Sequence, residues 1–120
     1  MNKDYREITR NVTASLSRFR TDMPVLMKAF DSMAQAATSD GVLDQKTKKL
    51  IALCLGVAGH CDACIGFHLR TLVKLGTTRA ELEEALGVAI YMGGGPSLMY
   101  AADALAAFEQ MSAAAVPTPA

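Results

Sequence analysis

Apolar residues return every three or four positions through most of the chain, which is the period of one helix face. Tyr5, Ile8, Val12, Leu16 and Phe19 form the first such stripe, with Arg6, Arg10 and Arg18 between them, and predict a helix from Asp4 to Phe19. Thr21-Asp22-Met23-Pro24 interrupts the pattern. Asp22 is expected to cap the next helix, and Pro24 to sit in its first turn, where an N–H would be unpaired anyway. This second helix runs to about Ala37 and is expected to bury Leu26, Met27, Phe30, Met33 and Ala34. Ser39-Asp40-Gly41 ends it, with Gly41 suited to a left-handed turn.

Asp44 is expected to cap a third helix without a capping box, because position 47 is Thr. Leu50, Leu53, Cys54, Val57 and Ala58 give its stripe, and Gly59 stops it. A fourth helix runs from near Cys61 to Leu75, ended by Gly76. Thr78-Arg79-Ala80-Glu81 has capping-box spacing and opens a fifth helix, from about Arg79 to Met92. Its second half, Ala85 to Ile90, is apolar nearly all round, so it is expected to be buried on most sides. Gly93-Gly94-Gly95-Pro96 breaks the chain before a last helix to about Ala114, and residues 115–120 are expected to fray. No strand precedes the triple glycine, so it is a helix–helix connection and not a nucleotide loop. The pattern predicts an all-α fold of about six helices in one domain spanning residues 1–120.

Composition narrows the function. Twelve basic residues balance twelve acidic ones, which argues against nucleic acid or an anionic membrane as the main partner. The apolar share of 51% is high for a small domain and points to surface covered by another subunit. The first residues are charged, with no apolar signal core, and no uninterrupted span long enough for a bilayer follows. Three cysteines make an odd set, ill-suited to a secreted disulfide scaffold, so the expected compartment is the cytoplasm.

The chemistry gathers in Gly59-His60-Cys61-Asp62-Ala63-Cys64-Ile65-Gly66-Phe67-His68. At a helix start, unpaired amides and the helix dipole favour a thiolate at Cys61 or Cys64. His68, one turn beyond Cys64, shares its helix face and can take or return a proton. These are the components of sulfur attack on a peroxide or a disulfide. A zinc site is the competing reading, with His60 as a further donor. It lacks the second ligand pair structural zinc sites recruit, since no Cys or His follows His68. Cys54, alone on its helix, reads as a small apolar filler.

Together with Asp40-Gly41-Val42-Leu43-Asp44, Lys46-Thr47-Lys48, Leu50-Ile51-Ala52-Leu53, Glu84-Ala85-Leu86-Gly87-Val88-Ala89 and Met92-Gly93-Gly94-Gly95-Pro96, this motif resembles the AhpD-like alkyl hydroperoxidase branch of the carboxymuconolactone decarboxylase family. The resemblance is strongest over residues 30–108. It implies an all-α protomer in trimers or hexamers and a thiol peroxidase cycle needing no metal or cofactor. Cys64 would be the attacking thiolate, Cys61 the resolving thiol and His68 part of a proton relay. The substrate would be a hydroperoxide or a disulfide, and the reductant a dithiol such as a lipoyl-bearing protein. Two positions depart from that pattern. Lys49 stands where the family's peroxidases carry a relay Glu, and Ala63 where the best-known members carry His, with His60 as the possible accessory instead. A metal-binding or redox-responsive assembly without efficient turnover is the alternative, and lactone decarboxylation, drawn from the family's name, a third.

Overall fold

The structure is a computed structural model and describes residues 3–115, so the frayed tail expected beyond Ala115 lies outside the described residues. Six helices follow one another: α1 (Tyr5–Asp22), α2 (Pro24–Thr38), α3 (Gln45–Ala58), α4 (Asp62–Lys74), α5 (Arg79–Gly93) and α6 (Gly95–Ala115). Among the described residues there is no strand, and no helix is long and apolar enough to cross a membrane.

Local chemistry sets most of the boundaries. Asp4 caps α1 by accepting the N–H groups of Arg6 and Glu7. Asp44 caps α3 through the Thr47 N–H at 2.8 Å. Thr78 and Glu81 close the expected capping box on α5. Two expectations fail here. Asp22 is the last residue of α1, paired with Arg18, and α2 starts from Met23 with no side-chain cap. The left-handed turn expected at Gly41 is absent: α2 ends at Ser39 in extended backbone, and Gly41 is not among the positive-φ glycines.

The core joins Leu53 and Val57 of α3, Ile65, Leu69 and Leu72 of α4, Leu82 and Leu86 of α5, and Ala101, Ala104 and Ala107 of α6. Each strip recurs at three- or four-residue spacing, so each helix hides one face. The alanines of α6 let it lie close. α1 crosses α4 and seals it with Tyr5, which is fully buried.

The second helix is the main departure. It touches only α1 and α3, and none of its residues is buried. Leu26, Phe30 and Met33, expected in the core, are more than half exposed at 54%, 56% and 61%, Ala34 is exposed, and Met27 is only half-buried. Periodicity identified an apolar face correctly but could not say what covers it, and none of the described residues does. The radius of gyration, 14.9 Å, exceeds the roughly 13.6 Å of a compact globule this long, in keeping with a projecting helix. The second half of α5 departs in the same way. Leu86 and Ala89 are buried, but Val88, Tyr91 and Met92 face outward, because α5 packs only against α3 and α6.

Candidate functional site

The reactive stretch is the junction between α3 and α4. The Cys61 N–H reaches back to the Gly56 carbonyl at 2.9 Å and the His60 N–H to the Val57 carbonyl at 3.1 Å. This pair of bonds closes a helix with one residue in the left-handed region. Gly59 is the obvious candidate in the sequence, but its φ is −84°. The left-handed residue is His60, at φ 55°. For a residue with a Cβ that conformation costs on the order of 1 kcal/mol. The exposed imidazole is held in compensation against Tyr100 of α6, ring centroids 4.6 Å apart and planes within 3°.

The fourth helix begins one residue later. Cys61 is its N-cap, and its sulfur accepts the Cys64 N–H at 3.2 Å. The two cysteines are joined as a disulfide, their Cα atoms 5.3 Å apart. Gly56 of α3 lies against the pair: a Cβ there would stand 3.0 Å from the Cys64 Cβ, so a larger residue would push α3 off the motif. His68 follows on the Cys64 side of α4 and is half-buried. Burial, and then the positive charge of Lys49, hold its imidazole below the usual range, so it is neutral at pH 7 and free to accept a proton. Lys49 itself is half-buried on α3. The structure thus groups Cys61, Cys64, His68 and Lys49, and turns His60 aside onto Tyr100.

Cys54 stands apart. Its thiol donates to the Ala85 carbonyl at 3.3 Å, and burial pushes its acidity down by raising its pKa. It fits the filler reading. Among the described residues no group of three or more His, Cys, Asp or Glu side chains is placed to hold a metal ion.

Sequence reasoning missed a second ring of residues around the motif. Asp62, between the two cysteines, accepts from Lys3 Nζ at 2.9 Å and from the Tyr5 hydroxyl at 2.8 Å. Lys3 also pairs with Asp103 at 2.9 Å and lies 4.8 Å above the Tyr100 ring. The Gln110 amide clasps the backbone here, accepting the Tyr5 N–H at 2.8 Å and donating to the Lys3 carbonyl at 2.9 Å. The hydrogen bond to Asp103, with the one to Asp62, raises the Lys3 pKa and keeps it charged. Its charge offsets Asp62, whose carboxylate would otherwise oppose a thiolate in the same helical turn. Burial, and then Asp62, suppress the acidity of Tyr5, so its hydroxyl stays a donor. Only Asp62 carried a signal in the sequence, as the residue between the cysteines.

The pattern of the carboxymuconolactone decarboxylase family matches residues 24–107. The chain belongs to that family. A family member from Legionella pneumophila, crystallised in its apo form, is 62% identical and superimposes with a TM-score of 0.89 over 90% of this chain and 96% of its own. A member from Thermotoga maritima, described with a suggested part in antioxidative response, is 30% identical with a TM-score of 0.73 over 91% of this chain and 90% of its own. An uncharacterized protein of Cupriavidus necator is 44% identical over 75% of this chain and 80% of its own length. Family membership and the bonded cysteine pair together fit a redox role.

Proposed function

We propose that this carboxymuconolactone decarboxylase family protein is a thiol-dependent oxidoreductase of the AhpD-like kind, which reduces hydroperoxides through Cys64 and Cys61. The observation that carries the reading is the Cys61–Cys64 disulfide at the start of α4, with a neutral His68 on the Cys64 side. The Cys64 thiol gives its proton to His68. The thiolate attacks the outer peroxide oxygen, the O–O bond breaks, and the departing alkoxide takes the proton from His68 as alcohol. Cys64 is left as a sulfenic acid. The Cys61 thiol then attacks that sulfur, expels water and forms the disulfide.

An external dithiol restores the pair. Attack on Cys64 expels Cys61 as a thiolate, and the Cys64 N–H already aimed at the Cys61 sulfur favours that leaving group. A second attack by the donor's other thiol releases both cysteines and oxidises the donor to its disulfide. A lipoyl-bearing protein is the reductant this reading expects, and such a cycle suits the reducing cytoplasm. Lactone decarboxylation has only the family's name behind it.

The decisive experiment titrates the reduced protein with one equivalent of hydroperoxide and follows thiols by mass. Loss of two thiols per chain with a Cys61–Cys64 crosslink is expected. Unchanged thiols would overturn the reading. The same proposal includes a homo-oligomer, a trimer or hexamer, because the apolar face of α2 is bare. A monomer mass in dilute solution would refute that part.

A further inference from the structure

A groove of about 470 Å³ runs between α1, α4 and α6, away from the thiols. Val73, in its wall, is nine residues from Cys64, two and a half helical turns, and so lies on the opposite side of α4. Buried Met111 adds to the apolar floor. The rim carries four cations in two facing pairs. Arg6 and Arg10 stand one turn apart on α1, and Arg70 and Lys74 one turn apart on α4. Among the described residues no carboxylate lines the groove.

The distribution of ion pairs makes this notable in a chain of zero net charge. Lys3, Arg18, Arg20, Lys46 and Arg79 each have a carboxylate partner at hydrogen-bonding distance. Among the described residues Arg6 has only Asp4, at 3.6 Å. Six cations have no ion-pair partner among the described residues; Lys28, Lys48 and Lys49 lie elsewhere, while Arg10, Arg70, whose guanidinium stands 5.2 Å from the Phe67 ring centroid, and Lys74 converge here. Facing like charges repel unless an anion lies between them. Arg guanidinium matches a carboxylate with two parallel hydrogen bonds. The volume falls in the range of small-ligand sites, about 300–1,000 Å³. The apolar floor asks for hydrocarbon.

We propose that this groove binds an amphiphilic anion, an alkyl chain ending in a carboxylate, with the chain along Val73 and Met111 and the head group among Arg10, Arg70 and Lys74. The site is separate from the thiol chemistry and does not depend on it.

Calorimetry with decanoate below its micelle concentration tests this, using the whole protein. One decanoate per chain is expected. Arg10→Glu and Arg70→Glu should each weaken it about tenfold or more, while Lys28→Glu, on α2 outside the groove, leaves it unchanged. Decanol, which lacks the charge, and inorganic phosphate, which lacks the chain, should each bind at least tenfold more weakly. Equal binding by phosphate or decanol, equal loss with Lys28→Glu, or no decanoate binding at all would overturn the proposal. Amide shifts in the unmodified protein supply a second reading that needs no variant. Shifts confined to the groove, at Thr9, Thr13 and Val73, support the site, and shifts centred on α2 reject it.

Discussion

The α3–α4 and α4–α5 junctions share a backbone plan and differ in what fills it. At the end of α4, the Gly76 N–H bonds the Val73 carbonyl and the Thr77 N–H the Leu72 carbonyl, both at 3.1 Å, with Gly76 at φ 74°. Thr78 then caps α5: its hydroxyl accepts the Glu81 N–H at 3.1 Å, and Glu81 returns the bond at 2.9 Å. At the end of α3 the same two backbone bonds form, but His60 takes the place of glycine, and the junction is one residue shorter, so that Cys61 supplies both the backbone bond made by Thr77 and the cap made by Thr78. Each replacement is locally worse. Histidine is strained where glycine is not, and sulfur accepts more weakly than a hydroxyl. The first junction holds its shape from outside, through the Tyr100 stack and the ties of Lys3 and Tyr5 to Asp62. The α4–α5 junction is built for local stability. The α3–α4 junction carries reactive groups in the same frame, and distant residues supply what the local sequence gives up.

Making the first junction resemble the second should have the largest effect. Cys61→Thr keeps a capping side chain and removes the thiol proposed to resolve the sulfenic acid. It should leave the unfolding midpoint nearly unchanged and reduce peroxide consumption to one equivalent per chain, after which the reaction stops. Cys64→Ser should consume none. Continued turnover by Cys61→Thr, measured as peroxide consumed over time, would reverse the assignment of the two sulfurs.

Exchanging the left-handed residues should have an intermediate effect. Gly76→Ala forces a Cβ into positive φ and should cost about 1–2 kcal/mol in urea unfolding. His60→Gly relieves comparable strain but loses a ring stack worth about 0.5–1.5 kcal/mol, so its net change should be near zero. Equal losses at the two positions would mean that His60 is not strained.

The smallest effect concerns Lys49, which has no counterpart at the second junction. Its positive charge disfavours protonated His68, so Lys49→Met should raise the His68 midpoint. The rise should be partial, because burial, the larger cause, remains. The histidine would then begin to lose its acceptor role at a higher pH as the solution is acidified. An NMR titration of the ring protons reads this directly, and an unmoved midpoint would remove Lys49 from the site.

These contrasts also show why the sequence was readable in some places and not in others. Stripes and caps are local, so the six helices and the Thr78–Glu81 box could be read before any coordinates. The cysteine pair is local too, three positions apart at a helix start. His60 was not readable as the left-handed residue because Gly59 beside it is the better candidate by propensity alone. Lys3, Tyr100, Asp103 and Gln110 were not readable because their partners lie far along the chain, and no periodicity reports on that. The face of α2 was legible as apolar and illegible as uncovered, since a stripe says nothing about its neighbour.

Gln110 has a consequence in time as well as in space. It clasps Lys3 and Tyr5 across separations of 107 and 105 residues, and those residues hold Asp62 between the cysteines. A chain synthesised from its N-terminus at about 5–20 residues per second presents Cys64 roughly two to nine seconds before Gln110. Until Gln110 follows, the two thiols belong to an incomplete enclosure. The cysteine pair is therefore made well before its surroundings are finished.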